Sequence, residues 1–265
     1  MPELNQNQAE EILEMFAEGE GIESVNTSLA LRLVDIAREL GRDALIGRLL
    51  DHAASVADNP EDTGWCQFEL LKHHGADKDE LIGFGIKSEN EGLIGLAAGV
   101  FHHAALVLLG TDEASIFANR SMRLREQAGD TEGMIYGHAL VAHIAKSEND
   151  YEKSQLHLQK RLDIIPESAK FEKMEALADL AHSYSSLGEL EKSQAMLIES
   201  LQIAEQIDDL SGILVARWGL ADLAEISNQP DEAMVQLSDI MTKFMEAGEL
   251  VPEQVRLRLS KLTSE

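Results

Sequence analysis

Residues 176–204 read ALADLAHSYSSLGELEKSQAMLIESLQIA, and this stretch decides the fold. Apolar residues recur every three or four positions on either side of Gly188, which predicts two amphipathic helices joined by a short turn. The same sequence pattern recurs at intervals of 40, 39 and 40 residues when its copies are aligned on Ala114, Ser154, Ser193 and Ala233. A repeat of this length predicts stacked helix pairs, because one pair can bury its apolar face only against neighbouring pairs.

The repeat divides the chain into a series of predicted elements. Clear helix pairs are predicted at 91–129, 131–166, 169–208 and 210–248, divergent repeats at 24–88, an acidic N-terminal cap at 1–22 and a capping helix at 250–265. Signals for helix starts support these limits, including Asp150 as a cap and Pro230 in a first turn. Runs of β-branched residues with period two do not appear in the sequence. We therefore expect one all-helical domain over residues 1–265.

The charge of the chain is strongly negative. Forty-eight acidic residues against 22 basic ones give a net charge of −26. Such a field repels nucleic acid and anionic membranes, whose phosphates are bound by clustered lysine and arginine, so neither is expected as a partner. Two interpretations stay open: the acidic surface keeps an apolar-rich repeat protein in solution, or it steers a basic partner toward it.

The compartment is predicted from cysteine usage and from the N-terminus. Cys66 is the one cysteine, so no intramolecular disulfide can form and a reducing compartment is expected. The first residues, MPELNQNQAEEILEMF, lack the basic and apolar regions of a signal peptide. The most apolar stretch, residues 92–109, is interrupted by glycine and histidine and does not resemble a membrane span. These features predict a soluble, cytoplasmic protein.

Residue patterns of catalysis and metal binding do not stand out in this sequence. Ser193 and Ser211 have no recognisable histidine and aspartate partners, and no glycine-rich phosphate loop is present. Equivalent histidines on neighbouring repeats should lie about 10 Å apart, whereas a zinc ion needs ligand nitrogens about 2 Å from one point. We therefore expect no enzymatic activity, no metal and no cofactor.

The repeat core resembles a known family signature. The residues that carry this resemblance are Leu177, Leu180, Ala181, Tyr184, Gly188, Ser193, Leu197, Ser200 and Leu201. They resemble the tetratricopeptide-repeat signature in its longer form of about 40 residues, which is found in bacterial regulators. The resemblance implies a right-handed α-α superhelix, a solenoid of about six helix pairs with capping helices. It also implies that the first helices of successive pairs line a groove for a peptide or protein.

Projecting that groove onto this chain identifies candidate binding residues. His103, His143 and His182 are equivalent, at intervals of 40 and 39 residues, and Asp222 is the next equivalent. The remaining candidates on or near the same helical face are Tyr136, Lys146, Trp218 and Glu225. The histidines either fill space between helices or hydrogen-bond the backbone of an extended peptide. Trp218 likewise either fills the core or anchors a partner.

Three functions remain open on these grounds. The first is a non-enzymatic scaffold or adaptor that holds a basic or apolar peptide or protein segment in the groove. Asp222 and Glu225 would then favour a basic or amino-bearing group at one end. The second is a structural scaffold that forms a homo-oligomer through the ends of the solenoid. The third is a sensor of a peptide signal that acts through a partner regulator.

Overall fold

The computed structural model describes residues 6–18 and 21–263. Within these ranges the chain forms α-helices and one 3₁₀ turn, and no strand. The prediction of an all-α protein is confirmed. The chain divides into two compact units, Met1–Asp130 and Thr131–Glu265, which are described in turn. The organisation as a single domain stays a prediction.

The first unit contains seven helices among its described residues. They are α1 (Gln6–Ala17), α2 (Thr27–Glu39), α3 (Asp43–Val56), α4 (Pro60–His73), α5 (Lys78–Asn90), α6 (Ile94–Val107) and α7 (Asp112–Ala128), with the 3₁₀ turn at Ile22–Ser24. Residues 1–5, 19 and 20 of the predicted cap lie outside the described residues. Helix α1 buries Leu13 and Phe16 against α2 and α3. Phe101 of α6 is fully buried and stacks on Phe117 of α7, so these two helices share a core.

The second unit contains three regular helix pairs and a final helix. They are α8 (Thr131–Ser147) with α9 (Tyr151–Ile164), α10 (Lys170–Ser186) with α11 (Leu190–Gln206), α12 (Leu210–Ile226) with α13 (Pro230–Glu246), and α14 (Glu253–Leu262). Each pair packs against the next, and α14 packs on α13. No helix in the described ranges is both long and apolar enough to cross a membrane.

The small residues that define the repeat lie where helices cross. Ala114, Ser154, Ser193 and Ala233 are each no more than 1% exposed. The Ser193 hydroxyl donates a hydrogen bond of 2.7 Å to the Ala181 carbonyl. A larger side chain at these positions would separate the helices, and the serine hydroxyl satisfies a buried backbone oxygen. The small residues therefore recur once per repeat because neighbouring helices come into close contact at these positions.

The turn between the two helices of a pair uses the same backbone conformation in each repeat. Gly110, Asn149, Gly188 and Asn228 have φ values of 87°, 60°, 77° and 57°, and they are 39, 39 and 40 residues apart. Glycine and asparagine are the residues that best tolerate this left-handed conformation, which ends a helix and reverses the chain. Residue type at the turn thus sets where each first helix stops.

Candidate functional site

A groove of about 670 Å³ crosses the second unit on the side of its first helices. Five of the predicted site residues line it: Lys146 from α8, His182 from α10, and Trp218, Asp222 and Glu225 from α12. The stacking of successive pairs explains this, because equivalent positions of first helices face the same side. We call this surface the second-unit groove.

The wall of the groove contains apolar side chains that reach solvent. Val215 and Ile226 on α12 are 55% and 61% exposed. Gly219 lies between them, and a Cβ atom there would be 2.9 Å from the Leu197 side chain of α11. The close approach at Gly219 keeps α11 and α12 together beneath the exposed residues. The groove therefore offers apolar contact area on a well-packed base.

Ionisable groups from three helices converge on Asp179, which also lines the groove. Desolvation raises the pKa of the Asp179 carboxyl, while Arg161, Lys146, His143 and His182 act to lower it. Arg161 donates to the Asp179 carboxylate at 3.2 Å and to Glu175 at 3.3 Å. The Asp179 carboxylate is thus already paired with Arg161 of the same protein.

The His182 imidazole is biased toward its neutral form. Desolvation lowers its pKa, and so does the nearby Lys146 ammonium, whereas Asp179 and Asp222 act in the opposite direction. A neutral imidazole has one nitrogen that donates and one that accepts. His182 can therefore pair with either the N–H or the carbonyl of a backbone placed in the groove.

Arg258 of α14 contacts three of the residues that line the groove, all of them on α12. Its guanidinium donates to Asp222 at 2.7 Å and to Glu225 at 2.7 and 3.0 Å. The guanidinium carbon also lies 4.6 Å from the centre of the Trp218 ring. The two carboxylates that the sequence suggested for a basic ligand are thus already paired with a cation of this chain.

The remaining three predicted residues lie elsewhere. Tyr136 lines a separate pocket of about 350 Å³ with Glu172. His143 is exposed on α8 and reaches the groove through its electrostatic effect on Asp179. His103 belongs to the first unit, where its ring meets Phe68 edge-on at 5.7 Å. Nothing in these positions tests a role in binding, so their participation stays a prediction.

A pair of histidines in contact within the second unit was not predicted from the sequence. His138 of α8 and His157 of α9 approach with their Nδ1 atoms 3.0 Å apart. Desolvation lowers the pKa of His157 to about 4, with contributions from His138, Lys160 and Lys153. Two neutral rings can share this hydrogen bond because one nitrogen donates and the other accepts. Within the described ranges, no group of three or more potential ligands could hold a metal ion.

The His157 pKa predicts a pH dependence of stability. As pH falls below about 6.5, the unfolded chain takes up a proton at His157 while the folded protein does not, so stability falls between about pH 6.5 and 4. The full shift would correspond to about 3 kcal/mol, and screening by solvent at this partly exposed ring reduces it. Chemical unfolding should show that wild type loses about 2 kcal/mol more than His157→Gln over that range. At pH 8 the pH-dependent difference should vanish. Parallel profiles for the two proteins would contradict the prediction.

Asp179, Val215 and Ile226 line the groove and were not predicted from the sequence. Neither was Arg258, which contacts three of the lining residues. Asp179 and Val215 lie three residues before His182 and Trp218, so they share the faces of α10 and α12 on which the candidates were placed. Continuing the search one helical turn further could have found both. Arg258 had no such signal, because it reaches its partners from a helix beyond the repeats.

Comparison with known proteins identifies the fold. No protein-family model matches the sequence, and no curated protein matches it significantly. Among solved structures, the apo quorum sensor NprR from B. thuringiensis has a TM-score of 0.60 at 15% identity, covering 97% of this chain and 74% of NprR. The apo form of RapI has a TM-score of 0.58 at 12% identity, covering 88% and 79%.

A third structure is that of a Rap protein complexed with competence and sporulation factor. Its TM-score is 0.51 at 13% identity, and the match covers 89% of this chain and 79% of the Rap protein. At such low identities these likenesses concern the fold alone, and they agree with the repeat period and the helix pairs. The chain therefore has the fold of tetratricopeptide-type helical repeat proteins.

Proposed function

We propose that the second unit binds an extended peptide segment in the second-unit groove, without chemical conversion. One observation carries this proposal: a groove of about 670 Å³ combines half-exposed apolar residues with polar groups. This volume falls within the range of about 300–1,000 Å³ that is typical of ligand sites. The segment belongs either to a free peptide or to a partner protein.

The chemistry of the groove suggests how such a segment is held. Apolar side chains of the ligand would cover Val215 and Ile226, which gives affinity through area removed from water. His182 would pair with the ligand backbone. Lys146, which has no ion-pair partner among the described residues, would attract an acidic group at its end of the groove.

The structural neighbours support a finer form of the proposal. One neighbour is described as a quorum sensor, and another was solved with competence and sporulation factor bound. By analogy, the segment would be a signal, and the chain would act through a partner regulator. The analogy rests on likeness of fold alone, and the groove carries the proposal.

Self-assembly is a second candidate, favoured by apolar residues near the end of the second unit. Met245, Leu250 and Leu257 are 65%, 94% and 62% exposed. Clustered exposed apolar residues are a common basis for association between copies. Light scattering after size exclusion, over a wide range of concentration, should show growth in mass if this candidate is correct.

The groove proposal is tested by Val215→Glu. Dodecapeptides selected from a random display library on the wild-type protein should bind this variant at least about tenfold more weakly by fluorescence anisotropy, since a new carboxylate would lie unpaired beneath the bound chain. Val235→Glu is the matched control, because Val235 is 52% exposed on α13 and does not line the groove. Equal binding by both variants would refute the proposal.

A further inference from the structure

The guanidinium of Arg258 is held by two carboxylates and an aromatic ring, as a bound arginine ligand would be. Its donors meet the carboxylates of Asp222 and Glu225 at 2.7 Å each, and its carbon lies 4.6 Å from the centre of the Trp218 ring. Paired carboxylates and an aromatic face are the usual features of guanidinium recognition. Asp222, Glu225 and Trp218 therefore form a built cation site.

The helix that supplies Arg258 has one docked face. Val255, Arg258, Leu259 and Leu262 lie three, four and seven positions apart, so they share one side of α14. Val255 is 1% exposed, and Leu259 and Leu262 pack against the same apolar cluster of α12 and α13. Arg256 points away from that side and is exposed.

Helix α14 is attached to the second unit through that one face. Helix α14 has ten residues, and Val255 is its one buried side chain. A helix of that length is not stable in water by itself, so α14 keeps its structure only through the docked face. The segment before it includes Leu250, which is 94% exposed. Loss of the contacts on that face would thus release the helix as a unit.

The carboxylates favour a cation whether or not Arg258 is present. Desolvation and the neighbouring Glu225 raise the pKa of Asp222, and Arg258 opposes both effects. Without the guanidinium, two like charges would face each other beside an aromatic ring. The site would then attract another cation of the same shape.

We propose that Arg258 is an internal ligand of the second-unit groove. A lysine or arginine side chain of a partner peptide gains Trp218, Asp222 and Glu225 by displacing Arg258, and this displacement releases α14. The cation site rests on the ion pairs of Arg258 and its contact with the Trp218 ring, while its use by a peptide rests on the proposed function. Binding in the groove would in this way release α14, near the C-terminal end of the described residues.

The first test uses acetyl-arginine amide as a probe and its neutral isostere, acetyl-citrulline amide, as the control ligand. Nuclear magnetic resonance of the Trp218 indole N–H follows each titration. Arg258→Ala should bind the arginine probe at least about tenfold more tightly than wild type, because an internal competitor lowers apparent affinity by the fraction of sites left free. Arg256→Ala removes the same charge from the exposed side of α14 and should titrate like wild type. Identical titrations of all three proteins would overturn the proposal.

The second test needs no substitution and therefore does not depend on whether Arg258→Ala keeps α14 folded. Saturating acetyl-arginine amide should accelerate hydrogen exchange of the amides in residues 253–262 of the wild-type protein. Acetyl-citrulline amide should leave their exchange unchanged. Binding of the arginine probe without faster exchange in α14 would overturn the displacement step.

The same experiments separate this inference from the proposed function. Library peptides that contain lysine or arginine and bind wild type and Arg258→Ala with equal affinity would support groove binding and overturn the competitor role. The opposite result is that no peptide binds either protein while the arginine probe still discriminates between them. That result would refute peptide binding and support the cation site with its internal ligand.

Discussion

Replacing Phe101 by alanine is expected to lower the free energy of unfolding of the first unit by about 3–5 kcal/mol. The Phe101 ring is fully buried and stacks on Phe117 with ring centres 5.8 Å apart. The Arg120 guanidinium lies over the same ring, at 4.3 Å from its centre. A Cβ atom at Gly85 would lie 2.8 Å from the ring edge. Alanine would therefore remove contacts on several sides and leave a cavity that packed helices cannot close.

Each unit has its own tryptophan, which allows this loss to be measured locally. Trp65 lies in residues 1–130 and Trp218 in residues 131–265. Urea unfolding of Phe101→Ala in a Trp218→Phe background would follow the first unit through Trp65 fluorescence. Ile116→Ala is the control, because Ile116 is 61% exposed on α7 and should change stability by less than about 0.5 kcal/mol. Equal losses in the two variants would contradict the assignment of Phe101 to the core.

The second large effect concerns Arg161 beneath the groove. Removing its partners with Glu175→Gln and Asp179→Asn together should cost about 3 kcal/mol, because a buried guanidinium would be left without a counter-charge. Arg161 has a side chain that is 4% exposed, and both of its carboxylate partners lie on α10. Its Nε atom also has no hydrogen-bond partner. The two ion pairs must therefore offset the cost of burying the guanidinium.

Replacing the arginine itself should have the opposite outcome. Arg161→Met removes the buried charge together with its desolvation cost, and the half-exposed carboxylates return to water. We expect this variant to match or exceed the stability of wild type when unfolding is followed by Trp218 fluorescence. A large loss in Arg161→Met, equal to that of the double carboxylate variant, would show that the ion pair itself stabilises the unit.

The period of the sequence was sufficient to predict the helical class and the equivalence of positions. Small residues such as Ser154 and Ser193 recur once per repeat because helices cross at these positions, and both serines are buried. Equivalence also placed Lys146, His182, Trp218, Asp222 and Glu225, which line one groove. Such positions can be read from the sequence because each depends on spacing within one repeat and on contact with the next.

Contacts between distant parts of the chain could not be read in this way. Arg258 lies 33 residues from Glu225, outside the repeat, and its position depends on how α14 docks. His138 and His157 meet because α8 and α9 pack, although nothing in their spacing of 19 residues indicates it. Tyr136 and His143 share α8 with Lys146, yet neither lines the groove, because α10 and α12 form most of its wall and Lys146 is its one lining residue from α8.

The sequence by itself determined the helix pairs, the turns and the face on which first helices present equivalent residues. These features follow from local periodicity, from small residues at crossings and from residues such as Gly188 that tolerate a left-handed turn. Only the tertiary structure decided which of the equivalent residues share a groove and which cation contacts its carboxylates. Those outcomes depend on side-chain directions and on the docking of α14, and both are set by packing between segments far apart in the chain.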